Sequence, residues 1–426
     1  MYTSITSQPI KSLQVNAGML EDLEVERALG IVLSSVHPLE GERRPILDCT
    51  GYVLAEDVPA DMDIPPFDNS AMDGYAVLAT DTLGATPDRP AQLRVVADLP
   101  AGYAPPALVR SGESVRIMTG APLPPGTDAI ARSEITVRGD GTVLITSPVR
   151  PGQDVRYTGE DVKKGDTVLT RGTPVRAAEV GMLATLGRRD ALVVRKPRVA
   201  VLATGDELVE PWEPVTPGKI RNSNLYSISA QVKACGGEPI PLGIARDTAA
   251  QLEAKVRLGA DADMLLTSGG VSVGDYDVVK TVLARMGEIL FWKVRMRPGS
   301  PVVSGQIQGK PMFGLPGNPT ASIVAFEQFA RPAILKMSGR TALRRREVEA
   351  TLEENVKSRP GVRNFVRAIA TERDVQWFVR RAGEQGSAML RSMVRSNALL
   401  VVPETASKLS AGDKVQVQLL DLPEVE

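Results

Sequence analysis

Met264-Leu265-Leu266-Thr267-Ser268-Gly269-Gly270-Val271-Ser272-Val273-Gly274-Asp275-Tyr276-Asp277 is the stretch whose reading decides the fold. An apolar run enters a loop with three glycines, Gly269, Gly270 and Gly274, and leaves through Asp275 and Asp277 into a helix predicted over Val278 to Met286. A strand feeding a glycine-rich loop and then a helix start is how α/β proteins present backbone N–H groups to an anion. Here carboxylates crowd the same loop. At an effective dielectric of about 20, each close like-charge contact costs roughly 4 kcal/mol. An anionic ligand therefore needs a divalent cation beside it, and the loop suggests phosphate with Mg2+. The plainer alternative is a tight connection whose aspartates cap a helix.

The flanking sequence repeats the pattern. Val199 to Ala203, Pro239 to Leu242, Met264 to Thr267 and Ile289 to Val294 read as strands, with helices predicted at Ser223 to Ala234, Ala249 to Leu258 and Val278 to Met286. Such alternation implies a mostly parallel sheet with helices on both faces. Val302-Val303 and Met312-Phe313 read as closing strands, and Ala321 to Met337 as one last helix.

Ligands of open α/β sheets bind beyond the carboxyl ends of the strands. Three acidic loops fall there: Thr204-Gly205-Asp206-Glu207, Gly243-Ile244-Ala245-Arg246-Asp247 and the glycine loop. Thr204-x-x-Glu207 and Thr248-x-x-Gln251 also have the form of capping boxes, so helix initiation alone would explain either one. Their convergence points to a metal and phosphate site. In Lys293-Val294-Arg295-Met296-Arg297-Pro298, strand alternation predicts the three cations on one side, as an anion cradle or a solvated edge. Gly314-Leu315-Pro316-Gly317-Asn318-Pro319 then turns into a helix, with Pro319 suited to its first turn.

Outside this core, Val25 to Val36 has helical spacing, and Ala177 to Leu186 reads as another helix. From Ile46 to about Val149 short β-type runs alternate with Pro/Gly loops. Ile135 to Val137 and Thr142 to Ile145 flank Gly139-Asp140-Gly141, a hairpin signal. After the charged stretch Arg340 to Arg346, short alternating runs predict a small C-terminal β-barrel or sandwich.

Composition narrows the chemistry. The chain has 426 residues, 43% of them hydrophobic, a net charge of −1, one histidine (His37) and two cysteines (Cys49 and Cys235). No Ser-His-Asp, Cys-His or zinc-finger constellation can be assembled from that inventory. Near-zero charge gives no global pull toward nucleic acid or membrane. No apolar run approaches the ~20 residues of a membrane span, and sparse cysteine suits a reducing compartment. A soluble cytoplasmic protein is the expectation.

Five segments in fixed order resemble the molybdopterin molybdenumtransferase family, which includes the E-domain of gephyrin: Phe67-Asp68-Asn69-Ser70-Ala71-Met72-Asp73-Gly74-Tyr75-Ala76, Arg116-Ile117-Met118-Thr119-Gly120-Ala121, Thr204-Gly205-Asp206-Glu207-Leu208, Ser268 to Asp277, and Leu315-Pro316-Gly317-Asn318-Pro319. The resemblance runs from about Val25 to Leu420. It implies a discontinuous linking domain (1–60 and 161–195), a β-rich insert domain (61–160), a molybdopterin-binding-type α/β domain with a mostly parallel sheet (196–340) and a C-terminal β-barrel (341–426). It also implies a homodimer whose active site is shared between subunits. The implied reaction inserts molybdenum from molybdate into adenylylated molybdopterin with Mg2+, releasing AMP. Further partners implied are a molybdopterin adenylyltransferase and proteins of molybdoenzyme maturation.

The functional positions carried over are Asp73, Thr119, Asp161, Glu207, Asp247, Asp277, Lys293 and Arg297, with Glu207, Asp247 and Asp277 as the cation ligands. Substrate contacts are expected at Ser268, Gly269, Gly270, Ser272, Gly274, Pro301, Gly317, Asn318, Arg367 and Ser387. Four positions depart from the family's usual residues. Arg297 and Ser300 stand where lysines are common, Ala321 where serine is common, and Arg391 where the residue is usually small or hydroxylated. Two alternatives stay open on these grounds: a non-catalytic dimeric scaffold, and the same chemistry with tungstate.

Overall fold

The computed structural model describes residues 20–106, 108–271 and 278–420. The chain divides into two compact units. The larger takes the chain up to Arg44, Cys49–Ala55 and everything from Leu192 onward; the smaller takes Pro45–Asp48 and Glu56–Ala191.

In the larger unit the elements run β1 (Leu20–Leu23), α1 (Val25–Ser34), β2 (Arg198–Thr204), α2 (Asn224–Ala234), β3 (Glu238–Ala245), α3 (Ala249–Leu258), β4 (Met264–Ser268), α4 (Val278–Met286), β5 (Glu288–Val294), β6 (Val303–Ile307), β7 (Lys310–Leu315), α5 (Pro319–Ala325) and α6 (Arg331–Met337). The sheet order is β1-β5-β6-β7-β4-β2-β3. Only β6 runs against its neighbours, so the sheet is mostly parallel as predicted. The β2 sequence shows why. Val199, Val201 and Ala203 enter one core while Ala200 and Leu202 enter another. A strand covered on both faces needs such an unbroken apolar run. Helix α1 buries Val25, Ala28, Leu29 and Val32, one helical stripe, in the first of these cores.

The predicted continuous helix from Ala321 to Met337 is corrected. It begins at Pro319 and is interrupted by a π-type turn over Phe326–Ala330 before α6. Pro332 has no N–H to close a regular helical bond, so the ladder widens just upstream of it. The turn faces Phe329 into the core, fully buried, with its ring 6.3 Å from that of Phe291 at 64°. Phe329→Ala is expected to lower unfolding stability by about 3–5 kcal/mol, read from urea denaturation.

Beyond α6, five strands close into a barrel: β8 (Glu347–Leu352), β9 (Arg363–Arg373), β10 (Gln376–Arg381), β11 (Ala398–Val402) and β12 (Lys414–Leu419). Their order is β9-β10-β8-β12-β11, and β11 pairs back onto β9. Closure decides between the barrel and the sandwich that the sequence left open. Its interior is filled at period two by small and branched residues, such as Val366, Ala368 and Ala370 on β9.

The smaller unit holds a six-stranded sheet in the order Thr136–Arg138, Thr142–Ile145, Ala91–Leu99, Glu113–Ile117, Gly74–Val77, Ala129–Arg132. The expected hairpin is present, with Thr136 paired to Ile145 and Arg138 to Val143. No helix among the described residues is long and apolar enough to cross a membrane.

Candidate functional site

Strands β4, β2 and β3 are neighbours, so the loops at their carboxyl ends converge. Thr204 does not cap a helix. It ends β2, donates its hydroxyl to Ser268 O at 3.3 Å, and the chain turns at Gly205 into the short strand Leu208–Val209. Thr248, in contrast, caps α3 by accepting from the Gln251 N–H. Asp206 and Asp247 tie the two acidic loops together reciprocally. The Asp206 N–H donates to Asp247 Oδ2 at 3.2 Å and the Asp247 N–H to Asp206 Oδ1 at 3.3 Å. Arg246 clamps the turn from outside, donating to Asp206 O at 3.2 Å and Leu208 O at 2.9 Å.

The Glu207 carboxylate folds back over Gly205. A Cβ at position 205 would sit 2.4 Å from Glu207 Oε2, on a backbone with φ of +151°. Gly205→Ala should therefore displace the carboxylate and add about 1–3 kcal/mol of backbone strain. Thermal denaturation is expected to show the strain as a lower melting temperature than the wild type.

Glu207 and Asp247 line a cavity of about 650 Å³ together with Ser268, Gly269, Gly270 and Asn318. Its wall is braced by Asn224, whose Nδ2 donates to Ser268 Oγ at 2.7 Å and to Gly317 O at 2.8 Å. Ser268 Oγ is thereby engaged in packing the loops. Gly269 passes so close to β2 that a Cβ would lie 2.5 Å from Thr204 O. Asp277, Ser272 and Gly274 lie outside the described residues. Among the described residues no cluster of three metal-ligating side chains is present. Two carboxylates suit Mg2+ all the same, because that ion is held by one or two carboxylates while substrate phosphates and water complete its shell.

A second cavity, of about 1080 Å³, shares Pro301, Pro316 and Asn318 with the first. It lies between the α/β part and the barrel, and its lining includes Arg297, Arg367 and Ser387. No acidic residue lines it among the described residues. Arg367 is 1% exposed. Its guanidinium donates to Ser392 Oγ at 3.1 Å, Glu384 O at 3.3 Å and Gly386 O at 3.0 Å, all uncharged acceptors. Burial first, and then the nearby Arg297 charge, push its pKa down to about 10. Asn318 Nδ2 reaches Ser387 Oγ at 3.2 Å and links the two cavities.

The cradle of Lys293, Arg295 and Arg297 is corrected. Lys293 has φ of +64°, which breaks the strand alternation between β5 and the short strand Met296–Arg297. Its ammonium lies 4.0 Å from the Trp292 ring centroid, and Arg295 pairs with Glu24 at 2.6 Å. Only Arg297 of the three lines the cationic cavity.

In the smaller unit, Asp73 Oδ1 accepts from both the N–H and the hydroxyl of Thr119 at 2.7 Å. These bonds, the backbone one first, hold its pKa below the usual carboxylate range. Asp68 repeats the device on the N–H and hydroxyl of Thr158, at 2.8 Å, and so fixes the turn carrying Asp161.

Three family models match consecutive parts of the chain: the MoeA N-terminal region over residues 23–187, the probable molybdopterin binding domain over 200–336 and the MoeA C-terminal region over 349–420. Molybdopterin molybdenumtransferase 2 of Mycobacterium tuberculosis is 40% identical over 88% of this chain and 93% of its own length. The molybdopterin molybdenumtransferase of Nostoc is 37% identical over 88% and 87%. The crystal structure of the molybdopterin biosynthesis MoeA protein from Pyrococcus horikoshii superposes with a TM-score of 0.81 at 31% identity, covering 93% of this chain and 100% of that one. This chain belongs to the molybdopterin molybdenumtransferase family.

Membership makes it a transferase of molybdenum cofactor biosynthesis. Against the family pattern, Ser300 and Ala321 both line the cationic cavity, whereas exposed Arg391, on the short helix Leu390–Val394, lines neither cavity. The two cavities and the loops around them also hold residues that the sequence did not single out. Asn222 sits just before α2 and Asn224 at its start, where Asn-Ser-Asn reads as an ordinary helix start. Arg246 was visible only as a loop residue. Lys357, Arg359 and Lys408 of the barrel carried no signal, because isolated cations in β-type runs read as solvated faces.

Proposed function

We propose that this transferase takes adenylylated molybdopterin, Mg2+ and molybdate, releases AMP and delivers molybdenum cofactor. The observation that carries the reading is the adjoining pair of cavities, one with two carboxylates, the other cationic, meeting at Pro301, Pro316 and Asn318. Glu207 and Asp247 would hold the cation, and Gly269 and Gly270, lining the same cavity, leave room for a phosphate to approach the backbone. When bound, Mg2+ neutralises charge on the phosphate oxygens. Arg297, Arg367 and Ser387 hold the oxyanion, whose negative charge offsets a buried guanidinium that has no carboxylate partner among the described residues. Asn318 spans the junction, where the metal passes to the pterin. Asp73, Thr119 and Asp161 are assigned to the same reaction, and homodimer formation belongs to the proposal.

The test is to incubate the protein with adenylylated molybdopterin and Mg2+, titrate molybdate, and follow AMP with active cofactor. Molybdate-dependent release of AMP with cofactor formed is the expected result. Substrate binding without turnover, at any molybdate or tungstate concentration, would replace this reading with a non-catalytic scaffold. Turnover with tungstate alone would change only the metal.

A further inference from the structure

Six cations line the larger cavity: Arg297, Lys357, Arg359, Arg367, Arg381 and Lys408. Arg381 is neutralised by Glu354 at 2.7 Å. The other five form no ion pair with a carboxylate among the described residues. Two of these, Arg297 and Arg367, are already assigned to the oxyanion. The remaining three stand on the barrel wall.

Their arrangement is unusual for a solvated surface. The two-residue strands Val356–Lys357 and Lys408–Leu409 pair antiparallel, which sets Lys357 directly opposite Lys408. Opposed residues on such a pair have Cβ atoms about 4.5–5.5 Å apart, and like charges there are destabilising. The next turn holds the strands together through Ser358 N–H to Ser407 O at 2.9 Å and carries Arg359 into the same cavity. Three cations line one cavity to which no described residue contributes a carboxylate.

We infer that Lys357, Lys408 and Arg359 form an anion site on the barrel wall of the cationic cavity, suited to a tetrahedral oxyanion of the phosphate type. Two ammonium groups and a guanidinium fork supply the donors such an ion takes, and its charge turns an unfavourable pairing into a favourable one. The occupant is either a free inorganic oxyanion or a phosphate carried by the substrate; the chemistry of recognition is the same. The site extends the cavity beyond Arg297 and Arg367 and does not depend on turnover.

The experiment is calorimetric titration with inorganic phosphate and, separately, with AMP. The proteins compared are the wild type, the Lys357→Met/Lys408→Met double variant, Arg359→Met, and Lys414→Met as a control. Lys414 is an exposed barrel lysine outside the cavity. The double variant is expected to bind inorganic phosphate about tenfold more weakly, since each exposed ion pair contributes modestly. Arg359→Met should follow it in direction, and Lys414→Met should match the wild type. Without ligand, the double variant should melt at a slightly higher temperature than the wild type, because the repulsion is gone. Loss of inorganic phosphate binding alone identifies a free oxyanion as the occupant; parallel loss of AMP binding identifies a substrate phosphate. Equal affinity of wild type and double variant for both ligands overturns the site. Neither titration contains pterin or molybdate, so a failed transferase assay and a failed anion site are separate results.

Discussion

Glu207→Gln is expected to leave the fold intact and to cut molybdate-dependent AMP release by about 10²–10³-fold, the range seen when one electrostatic partner of a reacting group is removed. Glu207 is exposed at the mouth of its cavity, and the turn that carries it is held by backbone and arginine contacts rather than by its own carboxylate. Ile220 N–H bonds to Glu207 O, which the substitution keeps. Surface substitutions of this kind change stability by within about 0.5 kcal/mol. Only the charge is lost. Mg2+ titration should report weakened binding in parallel with turnover, and Asp247→Asn should behave alike. Full activity in both variants would remove the cation from this pair of loops.

Arg367→Met tests the other cavity and separates two opposing effects. The substitution strips donors from Ser392 Oγ, Glu384 O and Gly386 O, which weakens the loop that ends in Ser387. It also removes a buried charge that has no carboxylate partner among the described residues, which relieves a desolvation penalty. A cation whose pKa falls on folding destabilises the fold at every pH below the lowered value, about 10 here, and the penalty fades as pH rises above it. At neutral pH that penalty is fully present, and a bound oxyanion offsets it. Molybdate at about 100 times its Kd should therefore stabilise the wild type by about 2.7 kcal/mol. In Arg367→Met that gain should vanish, and molybdate-dependent AMP release should fall by about 10²–10³-fold. Thermal denaturation with and without molybdate reads the first effect. An undiminished gain in the variant would place the oxyanion elsewhere.

Much of the α/β core is legible in the sequence. Buried parallel strands such as β2 and β4 write themselves as unbroken apolar runs, and α3 announces itself with Thr248 and Gln251. The same local logic offers a capping box at Thr204-x-x-Glu207 as an alternative, which the structure does not take. Its spacing fits a capping box, yet no helix follows, because Gly205 lets the chain turn sharply and Arg246, from the next loop, holds the turn open. Lys293 failed for a related reason. Alternation predicts its direction only while the backbone stays extended, and a positive φ at that residue re-aims it. The Pro332 interruption was written in the chain, but whether a helix ends or widens at a proline is settled by what the buried Phe329 packs against.

Sequence alone determined the alternation of strands and helices, the β-rich and barrel-forming regions, the inventory of carboxylates and cations, and the motifs that tie the chain to its family. These are local properties: periodicity, turn chemistry and residue identity act within a few positions. Tertiary structure decided barrel over sandwich, since closure depends on β11 returning to β9 across more than a single hairpin. It also decided which charges share a cavity. Arg297, Arg367 and the facing pair Lys357 and Lys408 are dispersed along the chain. Electrostatic coupling depends on distance through space, so only the tertiary packing, the Lys357–Lys408 strand pair included, brings these scattered cations to one cavity.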